Sequence, residues 1–112
     1  MAMDESLDLA FAALADPTRR AILARLAKGE ATVSELAAPF AVSQPAISKH
    51  LKVLERAGFV ETATAGQSRP RRLNRAALSL PADWLDRLGA DWDAKFDRLD
   101  AYLATLNTGD PA

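Results

Sequence analysis

A mainly α-helical fold with one small β-hairpin is predicted by three features of this sequence. Apolar residues recur at helical spacing through most of the chain. Helix caps and stops punctuate that pattern at short intervals. The one β-prone stretch is followed by a turn and a second short extended run. The 112 residues, 49% hydrophobic and 26% charged, suffice for one buried core and are too apolar for a disordered tail. We therefore expect a single domain over residues 1–112, without internal repeat or linker.

The elements follow in order. Residues 6–14, SLDLAFAAL, are rich in Ala and Leu and favour helix. Asp16 can cap a second helix, with Pro17 at its first position and Gly29 ending it after Lys28; Ile22, Leu23 and Leu26 form its apolar stripe. Thr32-Val33-Ser34-Glu35 is a capping box that opens a short helix expected to reach about residue 40, near Pro39. Ser43 caps the next helix, and Pro45 is tolerated there because a first-turn N–H has no helical partner anyway. That helix runs to about Ala57, with Gly58 as a left-handed stop. Two helices near 33–40 and 44–57, joined by a short turn, have helix-turn-helix spacing.

Phe59 to Thr64 is β-prone, Ala65 to Arg69 is turn-like, and Pro70 to Asn74 can return as a short strand. A hairpin at about 59–74, directly after a helix-turn-helix, is a wing, and its loop is basic. A long helix is expected from Pro81 to about Leu106. Leu85, Leu88, Trp92, Phe96, Leu99, Leu103 and Leu106 recur along it every three or four residues. A small winged helix has no core left for two such aromatics, so a second copy of this helix is the expected partner.

The helix at 44–57 carries the chemistry. With Ile47 at 0° on a wheel of about 100° per residue, Leu51 and Leu54 fall within about 40° of it and point inward. Pro45, Lys49, Lys52 and Arg56 lie between about 140° and 200°, on the opposite face, with Ser48 on its edge near 100°. Gln44 and Ser48 can hydrogen-bond base edges, and Lys49 can reach guanine or phosphate. His50, near −60°, is a flank residue suited to a backbone or phosphate contact, and one imidazole cannot hold a metal. Ser43, the two wing residues Gln67 and Arg69, and the following Arg71 and Arg72 complete the candidate DNA-contacting set.

Charge is segregated. The net charge of −1 divides into −2 over residues 1–42, +5 over 43–75 and −4 over 76–112. A basic middle between acidic ends suits a polyanion on one face and a different contact elsewhere. The chain has no cysteine and a single histidine, which excludes disulfides, thiol nucleophiles and Cys- or His-rich metal sites. No nucleophile–base pair or phosphate loop is present, so no catalytic residue, metal or cofactor is expected. The acidic start and the lack of a long apolar run predict a cytoplasmic protein without a membrane partner. A winged helix used only for protein–protein contact is the alternative function.

Two motifs carry a resemblance: Ala13-Leu14-Ala15-Asp16-Pro17-Thr18-Arg19-Arg20-Ala21-Ile22-Leu23 and Ser43-Gln44-Pro45-Ala46-Ile47-Ser48-Lys49-His50-Leu51-Lys52-Val53-Leu54, with Ala57-Gly58-Phe59-Val60 following. Over roughly residues 7–106 the chain resembles the ArsR-type winged-helix transcriptional regulators. The resemblance implies a homodimer joined through its first and last helices, here through Leu7, Phe11, Leu85, Leu88, Trp92, Phe96, Leu99 and Leu103. It implies a repressor, often an autorepressor, bound to an inverted-repeat operator in double-stranded DNA. By position, Gln44, Pro45, Ser48 and Lys49 match the family's groove-contacting residues, and Gln67 and Arg69 its wing tip. Metal-sensing members carry cysteines where this chain has Ser34-Glu35-Leu36-Ala37-Ala38, so the chain is similar to the metal-free branch. An inducer, if there is one, is expected to be an apolar or aromatic molecule near Trp84, Trp92 or Phe96.

Overall fold

The computed structural model describes residues 2–63 and 69–108. In chain order it contains α1 (Ala2–Leu14), α2 (Pro17–Leu26), α3 (Val33–Ala37), α4 (Gln44–Arg56), β1 (Val60–Thr62), β2 (Arg71–Leu73), a 3₁₀ turn (Arg75–Leu78) and α5 (Ser79–Thr108). The chain divides into two compact units, the first closing at Pro81 and the second opening at Ala82.

In the first unit the caps sit where the sequence puts them. The Asp16 carboxylate accepts from the Arg19 N–H at 3.0 Å, and Pro17 opens α2. Thr32 and Glu35 form the reciprocal capping box at the start of α3. The Ser43 hydroxyl accepts from the Ala46 N–H at 3.3 Å. Gly58, at φ 83°, ends α4. Its N–H bonds to the Glu55 carbonyl at 2.9 Å and the Phe59 N–H to the Leu54 carbonyl at 3.0 Å, which is a Schellman closure.

α1 starts four residues earlier than expected, and α2 stops at Leu26 rather than near Lys28. α3 ends at Ala37, short of residue 40. Pro39 has no N–H with which to extend the ladder, and the Phe40 N–H closes a turn on the Ala37 carbonyl at 3.0 Å instead.

The core of this unit is one cluster. Ile22, Leu23 and Leu26 of α2, Leu36 of α3, and Ile47, Leu51 and Leu54 of α4 meet Ala10 and Ala13 of α1 and Phe59 and Val60 beyond α4. The three inward residues of α4 are at most 1% exposed. The hairpin is antiparallel, pairing Val60 with Leu73, Glu61 with Arg72 and Thr62 with Arg71. Ala31, just before the cap of α3, adds a bridge to Arg71: its N–H bonds to the Arg71 carbonyl at 3.1 Å, and the Arg71 N–H returns to the Ala31 carbonyl at 2.7 Å. The wing is thereby fastened to the segment between α2 and α3.

α5 outruns its expected span at both ends. Pro81 falls in its first turn, where a missing N–H costs nothing. In the second unit the helix leaves a row of large apolar side chains open: Leu85, Leu88, Trp92, Phe96, Leu99, Tyr102, Leu103 and Leu106 are all between 45% and 61% exposed. The Trp92 and Phe96 rings meet edge to face with centroids 4.8 Å apart. No described helix is long and apolar enough to cross a membrane.

Candidate nucleic-acid interface

The amphipathic division of α4 builds the site. Burial of Ile47, Leu51 and Leu54 turns the opposite side of the helix outward. On that side Gln44, Pro45, Lys49, Lys52 and Arg56 are exposed and Ser48 is half-buried. Ser43, also exposed, spends its hydroxyl oxygen on the cap but keeps its O–H free to donate. The face thus presents three cations, an amide and hydroxyls, with no carboxylate among them. Glu55 stands at the inner edge and is already engaged.

That engagement is with Arg71 of the wing. Its Nε donates to Glu55 Oε1 at 3.2 Å, its Nη1 donates to the Arg69 carbonyl, and the side chain is 19% exposed. The Thr62 hydroxyl reaches the same Glu55 oxygen at 3.5 Å. Arg71 is therefore a wing anchor in this arrangement, and not a free cation. Arg72, one residue on and on the other face of the hairpin, pairs with Glu61 across the strands at 2.9 Å. Both partners of that pair are about half exposed (54% and 44%), so it is weak and exchangeable. Arg69 is exposed, at φ 42°, at the end of the described wing. Gln67 lies outside the described residues.

His50 also has partners within the first unit. Its Nδ1 lies 3.8 Å from Asp16 Oδ2 and 3.5 Å from Arg19 Nη1. Arg19 in turn donates through Nε to the Ala13 carbonyl at 2.8 Å and through Nη2 to the Ala12 carbonyl at 2.9 Å. One cluster therefore joins the end of α1, the start of α2 and the middle of α4. The capped Arg19 amide, helped by the charges of His50 and Arg19, holds the Asp16 carboxyl below its ordinary range. The Asp-Pro-Thr-Arg segment carried this signal in the sequence, but only as a helix start. Among the described residues no group of three His, Cys, Asp or Glu side chains could hold a metal ion.

A helix-turn-helix domain family matches residues 14–63, the span from the end of α1 through β1. The chain is also 47% identical over 87 residues to the HTH-type transcriptional regulator Rv2034 of Mycobacterium tuberculosis, covering 78% of this chain and 81% of that protein. Its fold matches an ArsR-like transcriptional regulator from Rhodococcus sp. RHA1 with a TM-score of 0.77 at 36% identity, over 90% of this chain and 95% of that one. The chain belongs to the ArsR family of winged helix-turn-helix regulators.

Within the ArsR family it is also similar to the transcriptional repressor SdpR of Bacillus subtilis, 37% identical over 67% of this chain and 83% of that protein. A solution structure described as the homodimeric winged helix-turn-helix DNA-binding domain of Mb0332 from Mycobacterium bovis matches with a TM-score of 0.65 at 27% identity, over 85% of this chain and 87% of that one. In ArsR terms α3 and α4 are the helix-turn-helix, and β1 and β2 the wing.

Proposed function

We propose that this ArsR-family chain is a transcriptional repressor that binds an inverted-repeat operator as a homodimer, with α4 of each copy in a major groove. The observation that carries this reading is the outward row Gln44, Ser48, Lys49 and Lys52 on a helix whose other side is fixed in the core. The amide and hydroxyl suit base edges, the lysines suit guanine or phosphate, and Arg69 on the wing suits flanking phosphate. The repressor names of relatives such as SdpR support the direction of control.

The open stripe on α5 supports the dimer. Two shallow hollows along it, one lined by Leu85, Leu88, Gly89 and Trp92 and one by Trp92, Lys95, Phe96 and Leu99, suit the side chains of a second copy. Leu7 and Phe11 of α1, both half-buried, are assigned to the same contact between copies. An inducer, if there is one, would be an apolar or aromatic molecule near Trp84, Trp92 or Phe96, and it must favour the DNA-incompetent state to act.

Selection of duplexes from a random pool, followed by titration of the enriched site at several salt concentrations, tests the reading. A palindromic consensus bound by two copies with a steep salt dependence is expected. Absence of any enriched duplex overturns it and leaves the protein–protein alternative.

A further inference from the structure

The outward face of α4 holds one residue that the polar reading does not use. Pro45, Lys49, Lys52 and Arg56 follow each other at intervals of four, three and four along one line of the helix, and all are exposed. Three are cations. Pro45 is an apolar ring with neither a donor on its side chain nor an N–H on its backbone. It stands in the first turn of α4, the end of a recognition helix that meets base edges. Three residues earlier, Val42 is 42% exposed. Val42 holds the position from which an apolar residue packs back onto the fourth helical residue, here Ile47, yet much of it stays open.

We propose that Pro45, with the exposed Val42 three residues before it, selects a thymine in each half-site through the thymine 5-methyl group. This rests on the reading of α4 as the major-groove helix. The chemistry is selective in two directions. An apolar ring pressed against a base edge strips water from the donors and acceptors there and returns no hydrogen bond. Against a thymine methyl the same ring loses nothing and removes a further apolar group from water. Of the natural bases only thymine presents a methyl in the major groove. Gln44, the preceding residue and exposed at the same end, can take adenine through its amide, so the pair reads neighbouring A·T-rich steps.

The test uses the full chain and the highest-affinity duplex enriched from a random pool. Each thymine is replaced in turn by deoxyuridine, which removes only the methyl. One thymine per half-site should cost about fourfold in affinity on this change, the equivalent of one buried methyl group. At that position a C·G pair should bind less well than T·A, and 5-methylcytosine should recover about fourfold over cytosine. Pro45→Ser, checked for folding by circular dichroism, should bind the thymine and deoxyuridine duplexes within about twofold of each other. If that variant fails to fold, Val42→Ser and the wild-type cytosine and 5-methylcytosine pair still decide. A duplex that binds but is indifferent to every deoxyuridine overturns the methyl reading and leaves DNA binding intact. A sensitivity unchanged in folded Pro45→Ser overturns it equally. No enriched duplex at all overturns both.

Discussion

Glu55 Oε1 accepts a hydrogen bond from Arg71 Nε at 3.2 Å, joining the last turn of α4 to the second strand of the wing. Together with the Ala31 bridge on the same Arg71, this contact sets the wing against the recognition helix. It also pairs a cation of the wing with the carboxylate at the inner edge of α4.

Glu55→Ala should therefore loosen the wing without weakening DNA attraction. The lost charge-assisted contact on a partly exposed pair is worth about 1 kcal/mol of stability. Arg71 is released and a negative charge is removed, so binding to random-sequence DNA at low salt should tighten and its salt dependence steepen. Urea denaturation and anisotropy titrations on the same sample check both halves. A weaker, flatter salt dependence would show that the wing geometry matters more than its charge.

Acid should destabilise the first unit through its caps. The Arg19 amide holds Asp16, and the Thr32 amide and hydroxyl hold Glu35, below the ordinary carboxylate range. A carboxyl depressed in the folded state contributes stability that is complete above its unfolded pKa, about 4, and is lost as pH falls through the folded value. The urea midpoint should thus fall between about pH 5 and about pH 2. Asp16→Asn keeps a capping side chain but cannot titrate, so its decline should be shallower than that of the wild type. Equal slopes for the two proteins would assign the acid sensitivity to other groups.

Base discrimination and overall affinity should separate by residue. Gln44→Ala and Ser48→Ala should each relax preference at one position of a half-site by about 1–3 kcal/mol. Lys52→Ala and Arg69→Ala should weaken all duplexes alike and lower the salt slope by about one each. Competition between the enriched duplex and random DNA measures the first effect, and a salt series the second. Loss of discrimination from all four changes alike would mean that the roles are misassigned.

What is legible in the sequence is local. Asp16, Thr32 with Glu35, Ser43 and Gly58 act within three or four residues of themselves, so their caps and stops are written in the sequence. The inward face of α4 followed from the spacing of Ile47, Leu51 and Leu54 alone. What the sequence does not announce are contacts between residues far apart in the chain. Nothing near Arg71 in sequence announces its partner Glu55, sixteen residues earlier. The Asp16 and Arg19 neighbours of His50 likewise lie 31 or more residues before it, at the start of another helix. Ala31 lacks any strand signal, and only the arrival of β2 beside it creates the bridge.

Among the described residues the stripe on α5 is an exposed row of large apolar side chains, and it gives a sharp test of assembly. Trp92 is 59% exposed, seven residues from both Leu85 and Leu99. A second copy packed there should bury more than about 1,000 Å² in total, the threshold for a specific interface. Trp92→Asp would place an unpaired carboxylate in that seam, which is costly because no counter-charge comes with it. The monomer–dimer Kd should rise at least about a hundredfold, equivalent to roughly 3 kcal/mol. Operator affinity should fall with it, because a monomer engages one half-site and loses the gain from linking two. Sedimentation at micromolar concentration reads the assembly directly. A wild type that sediments as a monomer, or a Trp92→Asp protein that stays dimeric, would move the interface off α5.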